Sequence, residues 1–387
     1  MEAQTFSVRE MAAVIAIGAV GGCTSPLQPM LLGALLAAHK ISPEAMGHAA
    51  TAEALGMVLG TALASAYIPP RRLKWLITIA LAVVFTANSL TIMLGGAGIQ
   101  ILRGFCGLGN SVLLWLFLSM LARSDTPTRL YAAFFLTSAS LIFLLSMSLS
   151  AFALDRFGPN AGYIAFLIIE IILLFVVRLA PDRYAEIQSA RGAAVPPVRG
   201  LLGLFSITLY LTGVTAFWLY SVPLGSEVGI PVRSMQMIVS AATGVQIVAG
   251  LAAMTLAAKL KASHVVVFTA IGGLAAALTT MTSGNIFIWA PAILIFAFCW
   301  MFAPPFHVAF LISVDPSRRA ALFVGTAQLT GFVVGPLIAS AMISSSDFAP
   351  ARLVTFVCYC ASLTTVAIIH LTASHAPPAT TNSELQS

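Results

Sequence analysis

Glu53, Arg103, Glu170 and His307 are ionisable side chains set inside long apolar runs. A charged group in hydrocarbon costs roughly 2.5–3.5 kcal/mol on insertion scales, so such residues face a protein interior or a wet cavity and mark proton or substrate pathways by default. Arg103 stands near the start of Ile99–Ala122 (IQILRGFCGLGNSVLLWLFLSMLA). Gly107 and Asn110 follow it at i+4 and i+7, so one helix face carries a charge, a gap and an amide. Gly104, Gly107 and Gly109 let neighbouring helices approach closely. Glu53 lies in ATAEALGMVLG, with Gly56 and Gly60 on its face. Burial penalises an ionised carboxylate and a nearby cation favours it. That opposition is what a proton-coupling group requires, and Glu53 and Arg103 are predicted to differ in depth by only about 6 Å at about 1.5 Å rise per residue. An ion pair between them is therefore feasible. It reads either as proton coupling or as structural neutralisation.

Composition says what must hold these groups. The 387 residues are 59% hydrophobic and 8% charged, with mean hydropathy +0.98. Soluble domains carry about 25% charged residues, so the chain is predicted to be an all-α membrane protein with no separate soluble domain. Its net charge of +6 is assigned to loops at the membrane surface rather than to nucleic-acid binding. Cys23, Cys106, Cys299, Cys358 and Cys360 all fall in apolar runs without metal-ligand spacing, so free thiols are expected, with no disulfide and no metal. The first apolar run is too long for a cleaved signal peptide. HExxH, Gly-x-Ser-x-Gly and phosphate-cradling loop patterns are missing, so the chain reads as a non-enzyme without cofactor.

Twelve spans are predicted: Met11–Ala38, Ala45–Tyr67, Trp75–Leu94, Ile99–Ala122, Tyr131–Leu154, Ala161–Leu179, Leu201–Leu224, Ser234–Ala258, Val265–Met281, Ile286–Val314, Ala320–Ile343 and Leu353–Leu371. Most reach the roughly 20 residues needed to cross hydrocarbon; the ninth is shortest. The longest polar segment separates two groups of six. The expected organisation is an N-terminal half over 1–179, a central loop over 180–200, a C-terminal half over 201–372 and a short tail over 373–387. With the termini inside, fourteen of the nineteen Lys and Arg fall in inner segments and four in outer loops. The positive-inside bias thus predicts a multi-pass protein of a bacterial inner membrane with both termini cytoplasmic.

The fourth-span pattern Arg103-Gly104-x-x-Gly107-x-Gly109 and the run APPFHVAFLISVDPSRRAALFVGTAQLTGFVVGP resemble the major facilitator superfamily of secondary transporters, twelve-span type. The resemblance implies two six-helix bundles rocking around a midplane site. It covers nearly the whole chain, with departures. The loop after the second span keeps paired Arg71 and Arg72 but lacks the Asp and inner Gly of the family motif, so the family's aspartate latch is not carried over. These arginines either contact neighbouring helix ends or serve the charge bias, the second being favoured. The fifth span has no Gly or Pro, which weakens a drug-exporter reading. A Gly331-x-x-x-Gly335-Pro336 pattern occurs instead in the eleventh.

Pro26 and Pro29 remove backbone donors mid-way along the first span and are read as a bend; with the glycines and Pro336 they form the packing and gating set. Gln28 and Asn110 read as cavity amides or as helix-packing hydrogen bonds. Trp300, Pro304 and His307 repeat the i, i+4, i+7 spacing of Arg103, Gly107 and Asn110. In the superfamily, the fourth and tenth helices are symmetry mates lining the cavity. The expected cavity set is therefore Gln28, Asn110, Trp300, His307 and Gln328, with His307 read as a ligand or as a buried packer. Glu170, in the sixth span, is assigned a structural role. Trp218 and Tyr220 read as interfacial anchors, with a cavity position as the alternative.

The functional expectation is proton-coupled transport of a small organic solute, anionic or neutral, by a monomer in the lipid bilayer. Two alternatives stay open: a drug/proton antiporter exporting amphipathic compounds, and a non-transporting membrane sensor with a transporter-like fold.

Overall fold

Ser7 starts the first helix with a reciprocal cap, its hydroxyl accepting from Glu10 N (3.3 Å) while the Glu10 carboxylate accepts from Ser7 N (2.9 Å). From there the chain is helical almost throughout, as the bilayer demands, since a helix satisfies every backbone group within itself. The computed structural model describes residues 5–185, 195–282, 284–344 and 347–374. Parts of the expected central loop (186–194) and the expected tail (375–387) lie outside the described residues.

The first half comprises α1 (Val8–Ala37), α2 (Pro43–Tyr67), α3 (Leu73–Met93), α4 (Ala97–Leu121), α5 (Pro127–Ser148) and α6 (Ala161–Val176). The second comprises α7 (Val198–Leu219), α8 (Val232–Leu256), α9 (Ala262–Thr282), α10 (Ile286–Phe302), α11 (Val324–Met342) and α12 (Ala349–Ser374). The helical segment Arg129–Leu179 runs for 51 residues. At about 1.5 Å per residue it is more than twice the hydrocarbon thickness. It turns back through Gly158–Asn160, where Gly158 has φ 69°. Lys40 at the end of α1 reaches Asn160, and Lys74 at the start of α3 reaches Arg178 O, so α6 returns to the end of the bundle where α3 begins. Among the described residues ten helical segments are long and apolar enough to cross a membrane, the bent pair Ile286–Phe302 and Pro304–Val314 makes eleven, and dividing Arg129–Leu179 at the Gly158–Asn160 turn makes twelve.

Three local differences from the sequence reading have identifiable causes. α10 ends at Phe302, and a second segment, Pro304–Val314, continues at an angle of 48°. Consecutive Pro304 and Pro305 supply no backbone donors there. Trp300 and His307 thus sit on different helices and do not share one continuous face. α7 stops at Leu219, and Ser221–Glu227 forms a separate short helix. The ninth span is a full 21 residues.

The tightest crossing is α2 on α4. A Cβ at Gly107 would overlap the Glu53 carbonyl oxygen, and one at Gly56 would overlap that of Gly104. Glycine is required where backbones meet so closely. In the second half, a Cβ added at Gly331 would meet Leu211 Cβ at 2.6 Å, and one at Gly335 would overlap Thr215 and Thr212 on α7. α1 carries Pro26 and Pro29 within an unbroken helix.

Candidate functional site

The ionisable groups of the first half form two adjoining clusters behind the α2–α4 crossing. Arg103 Nη2 donates to Asn88 Oδ1 (2.7 Å) and Thr91 Oγ1 (3.1 Å), and its guanidinium lies 5.0 Å from the Tyr163 ring centroid. Asn88 Nδ2 in turn donates to Glu170 Oε1 at 2.6 Å. One amide on α3 therefore joins a cation on α4 to a carboxylate on α6. Gln28 Nε2 donates to Glu53 Oε2 at 3.3 Å, and Asn110 Nδ2 donates to Thr24 Oγ1 at 3.1 Å, tying α1 to α2 and α4. All these polar side chains are buried, and Arg103, Glu53 and Glu170 are each only 1% exposed. Arg103 Nε, Glu53 Oε1 and Glu170 Oε2 have no hydrogen-bond partner.

The expected Glu53–Arg103 ion pair is not formed: among the described residues, no carboxylate oxygen lies within 4.0 Å of that guanidinium. Similar depth along two helices does not set direction. Arg103 faces α3 and α6, while Glu53 faces α1. Asn88 was not singled out from sequence, because a lone amide in an apolar run gives no periodic or charge signal. Glu170, assigned a structural role, is the carboxylate that Arg103 reaches through it.

In the second half, His307 is 1% exposed; its Nδ1 lies 3.3 Å from Gln328 Nε2 and its ring meets Tyr210 edge-on at 5.6 Å. Trp300 packs against Trp218 at 5.3 Å. Trp218 and Tyr220 are not interfacial anchors. Both are buried, and both bond the other half: Trp218 Nε1 donates to Pro26 O (3.1 Å) and Tyr220 OH to Pro43 O (3.1 Å).

These are two of a set of bonds that close one end of the bundle. Ser146 and Thr243 hydroxyls lie 2.8 Å apart, Ser150 and Ser240 hydroxyls 2.9 Å, and Ser240 also donates to Ser146 O. Arg233 pairs with Asp155 at 3.1 Å. Among the described residues, every hydrogen bond or ion pair between the halves lies in the portion remote from the helix ends at Val8 and Ser374. A recess of about 810 Å³ lies at this sealed end, bordered by Lys40 and Glu227.

Toward the opposite end, a cavity of about 310 Å³ lies between the halves, bordered by α1, α4 and α5 on one side and α8 and the α10 break on the other. Tyr131, near the start of α5, and Met254, in the last turn of α8, are 46% and 38% exposed at its rim. The lining is apolar and aromatic (Phe134, Phe135, Met301, Pro304), with Ser138, Thr243 and Gln246 as its polar groups. Gln246 Nε2 and Ser138 Oγ are buried without partners, aimed where a polar ligand atom would satisfy them. Of the expected residues, Pro26 borders this cavity; Gln28, Asn110, Trp300, His307 and Gln328 do not. Gln28 bonds Glu53, Asn110 bonds Thr24, Gln328 lies against His307, and Trp300 packs on Trp218 and Phe332. Arg71 and Arg72 are exposed at the α2–α3 turn. Among the described residues, no group of three potential ligand side chains could hold a metal.

No family model and no curated protein matches the sequence. Solved structures do. The chain is similar to the nucleoside transporter NupG (TM-score 0.74, 10% identity, covering 93% of this chain and 99% of that one). It is similar also to the xylose transporter XylE from E. coli in a partially occluded inward-open conformation (TM-score 0.68, 12% identity, 95% and 99% covered). A third match is an auto-inhibited POT family peptide transporter (TM-score 0.65, 13% identity, 95% and 97% covered). The chain thus has the fold of major facilitator superfamily transporters. It is a multi-pass integral membrane protein, and its long described helices fall into two groups of six.

Proposed function

We propose that this chain is a proton-coupled secondary transporter, working by alternating access as a monomer, whose solute enters the cavity between the halves. The carrying observation is that cavity itself, sealed at one end by bonds that all cross between halves and reaching toward the other end. Breaking the seal while closing the opposite end would expose the same cavity to the other side, which is what alternating access requires. The charge bias supports cytoplasmic termini in an inner membrane, so the open side faces inward. The solved relatives are named for nucleosides, xylose with a proton, and peptides.

The cavity chemistry favours a neutral solute with an apolar or aromatic portion and one or two hydrogen-bonding groups for Gln246 and Ser138. An anion meeting Arg103 is disfavoured, because that guanidinium is buried away from the cavity and does not border it. The apolar lining also supports a second reading, export of amphipathic compounds by proton exchange. Glu53 and Glu170 are the proposed proton-responsive groups of the first half, Arg103 being the fixed cation between them.

The test is transport in vesicles of both orientations with an imposed proton gradient, screening nucleosides, sugars, aromatic neutral solutes and amphipathic dyes. Gradient-driven movement of a solute that stops in Glu53→Gln or Glu170→Gln, with Gln246→Leu weakening solute affinity, supports the reading. Movement that ignores the gradient in every pool overturns proton coupling. Absence of movement in every pool overturns transport and leaves a sensor.

A further inference from the structure

A second concavity, away from the central cavity, sits at the α2–α3 turn. It measures about 590 Å³ and is lined by Arg71, Arg72 and Arg183 together with Tyr67, Trp75 and Leu76. The three arginines come from two chain segments more than a hundred residues apart, held together by backbone bonds. Arg71 and Arg183 form an antiparallel bridge, Tyr184 N donates to Pro70 O at 2.8 Å, and Leu73 N donates to Asp182 O at 3.1 Å. Arg72 adopts a left-handed conformation, φ 58°, which is strained for a non-glycine residue and persists only where its surroundings fix it.

Among the described residues, none of the three guanidiniums has a carboxylate within 4.0 Å. Nor does any make a side-chain hydrogen bond there. The neighbouring acid, Asp182, turns one oxygen to the backbone N of Lys74 (3.3 Å) at the start of α3. Loop arginines in general follow the charge bias, but that bias asks only for position along the chain. It does not converge three guanidiniums on one recess. Guanidinium groups match phosphate geometry bidentately and are the favoured residues for phosphate recognition. Tyr67 and Trp75 are 78% and 67% exposed where α2 ends and α3 begins, the depth at which amphipathic aromatics meet lipid headgroups. Basic recesses at this level bind anionic headgroups.

We propose that this recess binds a phosphate group, and that its source is the headgroup of an anionic phospholipid in the leaflet at the end of the bundle carrying the helix termini. The bound phosphate would bridge the α2–α3 turn to the segment following α6, fixing the start of the connection between the two halves. The site stands apart from the proposed solute cavity and does not depend on it.

The full-length protein in nanodiscs tests this, with Trp fluorescence and native mass spectrometry as readouts. Phosphatidylglycerol is titrated into a phosphatidylcholine background. Saturable binding is expected, weakened at least tenfold in R71Q/R72Q/R183Q and unchanged in Lys259→Gln, a basic residue elsewhere at that end. Equal binding of both lipids, or an unaltered affinity in the triple variant with its helicity intact, overturns the site. Glycerol phosphate is added in pure phosphatidylcholine as the second arm. Saturation of the same three arginines by glycerol phosphate alone upholds phosphate recognition but overturns the lipid as its source. If R71Q/R72Q/R183Q does not fold, single variants should each weaken binding severalfold, and three inert singles overturn the proposal.

Discussion

Replacing Asn88 with leucine removes the amide that joins Arg103 to Glu170 while keeping side-chain volume close to its original value. Two charge-assisted bonds disappear, the 2.6 Å bond to Glu170 and the 2.7 Å bond from Arg103. Bonds to charged groups contribute about 1.5–3 kcal/mol each in soluble proteins. Membrane double-mutant cycles average nearer 0.6 kcal/mol. Summed, these bracket the loss between about 1 and about 6 kcal/mol. Both partners stay buried, and breaking such a pair by removing one member costs about 3–5 kcal/mol, so a loss near 3 kcal/mol is expected. Reversible unfolding in mixed micelles, as a function of SDS mole fraction, reads it. The decisive comparison is R103M/N88L/E170M. Replacing every member of a buried polar cluster by apolar groups is often nearly neutral, so the triple variant should be more stable than N88L alone. N88L with parental stability, or a triple variant that falls by the sum of the three single losses, would refute the view that Asn88 compensates two buried charges.

Four further outcomes follow from the geometry. Gly107→Val should destabilise by about 1–3 kcal/mol or prevent folding, because its side chain meets the Glu53 backbone; Gly22→Ala, with nothing within 4 Å of the added carbon, should fold normally in the same thermal assay. S150C/S240C, whose parent hydroxyls lie 2.9 Å apart across the seal, should form a disulfide that stops transport until reduced, and undiminished transport by fully oxidised protein would contradict a moving seal. Phe135→Ala should enlarge the cavity beside Gly250 and raise the KM of whatever solute is identified by about tenfold, while its proton dependence stays unchanged. Burial opposes ionisation of Asp315, but bonds from Ser317 and from the backbone of Ser317 and Ala320 outweigh it and hold the carboxyl below its ordinary value. Its contribution is therefore present above the ordinary aspartate range, near 4, and is lost as pH falls through the depressed value. The stability gap between the parent and Asp315→Asn, followed by thermal unfolding against pH, should close on acidification.

What the sequence conveyed well was whatever rests on length and composition. Twelve passes and the division into two sixes follow from apolar run lengths, and the glycines of Ile99–Ala122 do lie in a close crossing. Direction was harder to read. Rise per residue placed Glu53 and Arg103 at one depth, but the azimuth of each helix decides partners, and that is set by packing of all six helices. Asn88 was missed for the same reason: its importance lies in spanning two neighbours that sequence separates by 15 and 82 residues. The i, i+4, i+7 spacing of Trp300, Pro304 and His307 presumed a straight helix, and Pro304–Pro305 broke it. The polar side chains conspicuous in the sequence, Gln28, Asn110, His307 and Gln328, have partners. The unsatisfied ones, Gln246 and Ser138, look ordinary in sequence and stand out only as buried groups lacking a bond.

The buried ionisable groups discussed above are divided unequally, since Glu53, Arg103 and Glu170 all belong to the first half. With all three ionised, the trio carries a net charge of minus one in low dielectric; with one proton taken up, it carries none. Moving an elementary charge through the membrane potential is worth about 2.3 kcal/mol per 100 mV. On the proposed alternating-access cycle, rocking of the unprotonated first half does electrical work, whereas the singly protonated half crosses the field silently. Membrane voltage would act on the return of the empty carrier rather than on its loaded stroke.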